Sequence, residues 1–236
     1  MNNIITYSKN DLKLIFRDPI LYVMLFVPLV IILLLRFGLP ALTGIFPGLE
    51  PYNVLILATL CLVTGMFPAF IYSFIILDEK DQDIVTVLRV LPITPMEFIL
   101  IRLFFITVLS YFFIILIIAL TGIISWSIYK ILLVSLPVCM TAPVLSLFIT
   151  GFARNKIEGA TWMKGLNMVM FLPVLSYFVQ GSYEYLLGIL PAYWIFKLFD
   201  PGFSSLPFYL VFLIAVLYHF VFLLAGIQIF KNRVFP

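Results

Sequence analysis

Long apolar runs alternate with short polar punctuation along the whole 236-residue chain. Six of these runs can cross a bilayer as helices: 20–39, 52–77, 97–123, 131–152, 159–179 and 207–230. Each reaches the roughly 20 residues that a hydrocarbon core about 30 Å thick requires. Pro68, inside the second, predicts a kink. Residues 3–18 follow another pattern. Ile4, Ile5, Ser8, Leu12, Ile15 and Phe16 share one helical face, and Thr6, Asn10, Lys13 and Arg17 share the other. This predicts an interfacial helix lying in the headgroup plane, its basic side toward lipid phosphates. Arg17, Asp18 and Pro19 end it and turn the chain into the bilayer. The stretch 183–203 is apolar but broken by Glu184, Pro191, Lys197 and Asp200. It is too interrupted to span and predicts an external re-entrant hairpin. Neither repeats nor low-complexity linkers divide the chain, so residues 1–236 form one domain.

The segment from Asp78 to Arg102, DEKDQDIVTVLRVLPITPMEFILIR, stands apart. It carries Asp78, Glu79, Asp81, Asp83 and Glu97, five of the chain's eleven acids, between the second and third spans. Ile84, Val87, Leu88 and Leu91 recur at i, i+3, i+4, i+7, one stripe of a short helix over 79–91. Asp81 and Asp83 are placed at that helix's N-terminus, where the macrodipole favours negative charge. Pro92 stops it. Thr94-Pro95-Met96-Glu97 then reads as a capping box opening the next helix, with Pro at the first helical position. A short amphipathic helix braced by a stiff turn into a spanning helix is a lever that a partner outside the membrane can push. Acids beside an apolar stripe suit a partner's groove and equally suit a solvated face.

Composition changes the picture by excluding a soluble domain: 64% of residues are hydrophobic, 11% are charged and the mean hydropathy is +1.21. The expected class is an all-α integral membrane protein. Its net charge of +3 is topological and implies no nucleic acid. Lys9, Lys13, Arg17, Lys80, Arg89, Arg102, Arg154, Lys156, Lys164, Lys231 and Arg233 fall on one side, against Arg36, Lys130 and Lys197 on the other. The basic side is cytoplasmic, which places both termini and the 79–91 helix inside and the 183–203 hairpin outside a plasma membrane. Trp126, Tyr129 and Lys130 mark the outer interface. Cys61 and Cys139 sit in apolar runs without metal or redox spacing and read as small buried hydrophobes. Asp11 and Asp18 precede the first apolar run and no small-x-small site follows it, so no cleavable leader is expected.

The chain carries no G-x-x-x-x-G-K-[ST], G-x-S-x-G or H-E-x-x-H pattern, so neither ATP hydrolysis nor hydrolase or metalloenzyme chemistry is expected on it. Its single histidine, His219, sits in the sixth run, and Gln228 follows on the same helix. Intramembrane ionisable groups are costly and often functional, although a neutral histidine bonded to a neighbouring helix is the plainer alternative. Asn167 and Gln180 read first as interhelical glue and second as cavity lining. These four are the candidate residues for a translocation path.

The Asp78–Arg102 stretch resembles the cytoplasmic loop of ABC-2 type transporter permeases, whose pattern is E-R-E-x-G-T-L-E-x-L-x-x-x-P-[VI]-[ST]-x-x-E-x-x-x-x-[KR]. Glu79, Lys80 and Asp81 stand at the E-R-E positions, Leu88 at the second Leu, and Pro92, Thr94, Glu97 and Arg102 further on. Asp83 and Ile84 replace the family's Gly-Thr, and Thr86 its Glu. Arg17-Asp18-Pro19 with Pro28, Leu190-Pro191-Ala192-Tyr193 and Phe230-Lys231-Asn232-Arg233 are similar to the family's first-span entry, external element and basic stop. Within the family the chain looks most like permeases of drug or antimicrobial exporters, including those for fluoroquinolone export. The resemblance implies the transmembrane subunit of an ATP-binding cassette exporter moving a hydrophobic or amphipathic compound outward. It implies two separate ATPase subunits, which hold the ATP and magnesium, and a second permease subunit, as a homodimer. Glu79, Asp81, Asp83, Ile84, Val87, Leu88 and Arg89 would then form the coupling face. Pro92, Thr94 and Glu97 would stiffen its joint, with Arg17, Asp18 and Pro19 tying in the interfacial helix. An ATPase-independent channel or secondary transporter is the alternative, and it would call for paired charges or broken helices at the midplane.

Overall fold

The computed structural model describes residues 11, 13–82, 95–178, 182–199 and 206–234. Among these the chain is helical, with no strand. Asp11 and residues 13–17 form the described part of the N-terminal helical segment. The first long rod joins α1 (Pro19–Leu33), a π-helical turn (Leu34–Gly38) and α2 (Leu39–Ile45). A 3₁₀ turn (Pro47–Tyr52) leads into α3 (Asn53–Asp81), and α4 (Pro95–Thr121) and α5 (Ile128–Phe152) follow. Next come α6 (Lys156–Phe171) with a 3₁₀ extension (Leu172–Tyr177), a further 3₁₀ turn (Ser182–Ile189), α7 (Pro191–Phe199) and α8 (Phe208–Val234).

Among the described residues five helical rods are long and apolar enough to cross a membrane: Pro19–Ile45, Pro47–Asp81, Ile99–Thr121, Ile128–Phe152 and Phe208–Val234. The expected fifth span, 159–179, takes another form. Its α-helix is only 16 residues long and tightens into the 3₁₀ turn at Leu172. The cause is Pro173, which cannot donate to the helical ladder.

α3 and α5 form the centre, and α4, α6 and α8 pack around them. Leu57, Ala58, Cys61 and Leu62 of α3 and Val134, Val138, Cys139 and Ala142 of α5 are fully buried, and both cysteines are free thiols. Close approach depends on small residues, as expected where helices cannot rely on water to drive them together. A Cβ on Gly65 would lie 3.1 Å from Thr141 Oγ1 and 3.4 Å from Ser110 Oγ, so α3, α4 and α5 meet at that glycine. On α8, Gly226 does the same against Leu147 of α5. Ser73 and Ser146 bridge α3 and α5 with a hydrogen bond of 3.1 Å. The outer faces of α1, α4 and α8 stay apolar and exposed, with Val23, Leu33, Phe104, Phe112 and Val221 among the exposed side chains.

At the end of the bundle where α3 begins, α7 is inserted among the long helices. Ala192, Tyr193, Ile195, Phe196 and Leu198 are buried. Trp194 reaches Tyr218 of α8, with ring centroids 5.8 Å apart, while Phe199 meets Trp126 in the α4–α5 connection at 5.6 Å. Lys130 lies over the Trp126 ring at 4.3 Å, a cation–π contact.

Candidate functional site: an ionic hub at the end of α3

The polar punctuation between the second and third apolar runs begins inside a helix. Asp78, Glu79, Lys80 and Asp81 are the last turn of α3. The short helix expected over 79–91 therefore does not start at Glu79, and Asp81 lies at a helix C-terminus, not at an N-terminus. Successive helical side chains are spaced about 100° apart, so these four point around the full circumference. Each finds a different group.

Glu79 faces α4. Its carboxylate accepts two hydrogen bonds from the guanidinium of Arg102, at 2.5 and 2.6 Å. Arg102 also donates to both oxygens of Asp11 in the N-terminal segment, at 3.0 and 3.2 Å. The arginine and Asp11 are each 4% exposed, so their charges have left water almost completely. A planar guanidinium with five fixed N–H donors can fork onto two carboxylates at once, which a lysine cannot do. Ile15, one turn after Asp11, is 1% exposed and anchors the same segment by burial. Three parts of the chain thus converge on one cation.

Lys80 turns the other way. Its ammonium donates to the carbonyls of Thr150 and, at 3.2 Å, Ala153. These belong to the last turn of α5 and the residue just past it, where carbonyls have no partner inside the helix. Asp78 and Asp81, three residues apart on α3, both address the start of α6. Asp78 pairs with the Lys156 ammonium at 2.9 Å, and Asp81 accepts from the Lys156 backbone N–H at 3.4 Å. α6 opens with a cap of its own: Asn155 accepts from Glu158 N, and Glu158 accepts from Arg154 N, both at 2.9 Å. The end of α3 is thereby bonded to the N-terminal segment through Arg102, and directly to α4, α5 and α6.

Of the residues singled out from the sequence, Glu79 is central to the hub, and Glu97 sits exposed in the first turn of α4. Asp83, Ile84, Val87, Leu88, Arg89, Pro92 and Thr94 lie outside the described residues, as does Gln180. At Arg17, Asp18 and Pro19 the N-terminal helix gives way to α1. Asp18 caps α1, accepting from Ile20 N at 2.9 Å and Leu21 N at 3.4 Å, Pro19 is its first residue, and Arg17 is exposed. The tie from the N-terminal segment to the α3–α4 corner is made by Asp11. Sequence reasoning missed Asp11 and gave Arg102 no role beyond its place in the family pattern. Their signal was chemical, since an acid and an arginine among apolar neighbours need each other.

The candidate path residues are not brought together. His219 is fully buried, and its Nδ1 is 2.8 Å from Ala215 O, one turn back on its own helix, so no interhelical bond is made there. Its Nε2 is buried without a hydrogen-bond partner. Gln228 is exposed and donates to Asn232 at 3.3 Å. Asn167 is half-buried on α6.

At the opposite end a second buried ion pair joins Lys197 of α7 to Glu184 of the preceding 3₁₀ turn at 2.9 Å, with side-chain exposures of 5% and 15%. Trp194 Nε1 donates to Gly188 O at 2.9 Å across the same two arms. Among the described residues no cluster of His, Cys, Asp and Glu is suited to hold a metal ion.

Long apolar helices around a shared core, with their charges gathered into networks at the two ends, define a multi-pass α-helical membrane protein. The chain belongs to the family described as Fluoroquinolones export permease protein Rv2686c-like, whose sequence model matches residues 11–227. It is similar to the Fluoroquinolones export permease protein Rv2686c of Mycobacterium tuberculosis (strain ATCC 25618 / H37Rv), 28% identical over 205 residues, which cover 82% of this chain and 80% of that protein. The corresponding protein MT2760 of Mycobacterium tuberculosis (strain CDC 1551 / Oshkosh) matches to the same extent. The matched region begins at Asp11, the first member of the ionic hub.

Proposed function

We propose that the chain is the transmembrane permease subunit of an ATP-binding cassette exporter of the ABC-2 type, carrying amphipathic compounds such as fluoroquinolones out of the cytoplasm or the inner leaflet of the plasma membrane. The ionic hub carries this reading. Glu79 and Arg102 stand just before and just after the 83–94 connection, and Asp11 brings in the N-terminal segment. A force on that connection therefore reaches α3, α4 and the N-terminal segment together, and Lys80 and Lys156 pass it to α5 and α6.

In this reading the hub faces the cytoplasm, as the bias of Lys and Arg requires, and the α6 rod with its 3₁₀ extension supplies the sixth crossing. The α7 hairpin is re-entrant from outside: Phe199 sits beside Trp126, and Trp194 reaches Tyr218, about three turns into α8. Two ATPase subunits, which hold ATP and magnesium, dock on the 83–94 connection through Ile84, Val87, Leu88 and Arg89. A second copy of the permease completes the path, and the exposed apolar faces of α1 and α8 are available to it or to lipid. The permease itself performs no chemistry. ATP can drive transport only because the ATPases contact the two states of the permease differently.

Co-purification tests the assignment. A tagged permease extracted in mild detergent brings down an ATPase subunit, and Leu88→Asp releases it while the permease stays folded. Recovery of a folded permease that never associates with an ATPase would sink the exporter reading. The rival, an ATPase-independent channel or secondary transporter, draws its support from His219, whose unpartnered Nε2 lies within the bundle. Against it, the ion pairs described above lie toward the helix ends, and midplane charge pairs are what such transporters use.

A further inference from the structure

A cavity of about 370 Å³ opens beside the hub, between the N-terminal segment, the start of α1 and the last turns of α3. Its size falls within the roughly 300–1,000 Å³ of small-molecule sites. The lining has two chemical halves. Leu21 and Phe74 are part of an apolar floor, and Phe74 is held from behind by Phe70, with ring centroids 4.2 Å apart. Arg17, Lys156, Asp18 and Asp78 supply two positive and two negative charges around it.

These charges are not equivalent. Asp18 is committed to the backbone N–H groups that begin α1. Asp78 and Lys156 form a pair that is 42% and 33% exposed, and pairs so exposed hold together weakly. A ligand with its own cation and its own anion can replace that pair without leaving either partner unmatched. Its amine takes Asp78, and its acid takes Lys156 with Arg17 beside it. A purely anionic or purely cationic ligand would meet a like charge in the same space. We propose that this cavity binds a zwitterionic amphipath, with a basic amine and an oxyacid at opposite ends of a flat or chain-like apolar body. The inference rests on the exporter reading for its consequence, which is that cargo is sensed next to the joint that drives transport. Asp78 directly precedes Glu79, so exchanging its partner acts on the same turn of α3 that Arg102 holds.

Two sources offer this chemistry, a drug and a zwitterionic phospholipid. Binding is measured on the purified full-length permease in phosphatidylglycerol nanodiscs by fluorescence anisotropy of norfloxacin, which has a basic piperazine and a carboxylate, and of N-acetylnorfloxacin, which keeps only the acid. Asp78→Asn is expected to weaken norfloxacin about tenfold and to leave N-acetylnorfloxacin, which loses a like-charge neighbour, no weaker than on the wild type, while Arg17→Gln with Lys156→Gln weakens both about tenfold, as the loss of charge-assisted hydrogen bonds does. If lipid is the occupant, phosphatidylethanolamine added to the discs competes with norfloxacin and is enriched on the wild type but not on the double variant. Equal loss of both compounds on Asp78→Asn would overturn the proposal, since general loosening of the helix does that. It is overturned as well if the wild type binds neither norfloxacin nor phosphatidylethanolamine, or if the variants bind as the wild type does. None of these readouts needs an ATPase, so a permease that binds norfloxacin but recruits no ATPase separates failure of the exporter reading from failure of this one.

Discussion

Two buried ionic sites hold the ends of this molecule, and they differ in what they connect. At the end of α3, Arg102 joins Asp11, 91 residues away, and Glu79, 23 residues away. At the opposite end, Lys197 and Glu184 are 13 residues apart and close a single hairpin. Both sites bear the desolvation cost of buried charge, which a well-packed apolar substitute would avoid. The local pair sets the shape of one element. The long-range triad makes the positions of several elements depend on one another, and that dependence is what a transmitted motion needs.

The largest expected effect follows from breaking the long-range site. Arg102→Met leaves Asp11 and Glu79 facing each other in a buried space, and an orphaned charge of that kind costs about 3–5 kcal/mol. Thermal unfolding in detergent should show a large fall in midpoint, with Arg102→Lys intermediate because an ammonium cannot fork onto both carboxylates. If Arg102→Met unfolds with the wild-type midpoint, the triad does not hold the corner together.

Lys197→Met strands the Glu184 carboxylate, which at 15% exposure keeps some access to water. A loss of about 2 kcal/mol is expected, at the low end for charge-assisted pairs. The exchange Glu184→Lys with Lys197→Glu should recover most of it. Protection of α7 backbone amides from hydrogen exchange reads this locally, and the amides of α3 should not change. A loss of protection at α3 would show that the two ends are coupled after all.

Asp18→Ala removes the cap of α1 and is expected to cost about 1 kcal/mol. Asp18→Asn should restore most of it, because the amide oxygen accepts the same two backbone bonds. Failure of that rescue would assign Asp18 a charge-dependent role beyond capping. Smallest of all, Asp78→Asn breaks a half-exposed pair and should change stability by no more than about 1 kcal/mol. A large fall on that substitution would show that the Asp78–Lys156 pair supports the corner as strongly as Glu79 does.

Much of this organisation is legible along the chain. Apolar runs long enough for a bilayer are visible by length alone. Pro95 opens α4 as its fixed φ allows. Glu184 and Lys197 could be seen interrupting an apolar stretch, though not that they pair. The Asp-Glu-Lys-Asp run misled in register. As a cluster of charges after an apolar run it suggested a new element, yet it is the final turn of the old one, continued past the core because each side chain has a neighbour to bond. A turn of helix with four charges is poor by sequence and stable by contact.

The sequence by itself determined that the chain is a multi-pass helical membrane protein, because helix length and hydropathy are local properties and the bilayer sets the length they must match. It also carries the bias of Lys and Arg from which an orientation is predicted, since that is a count along the chain. Only the tertiary structure decided which charges meet. Asp11, Glu79 and Arg102 lie on separate segments, and nothing in their spacing specifies that they converge. The packing of α3 against α4 and α5 brings them together, and the cost of leaving any one unpaired away from water keeps them there.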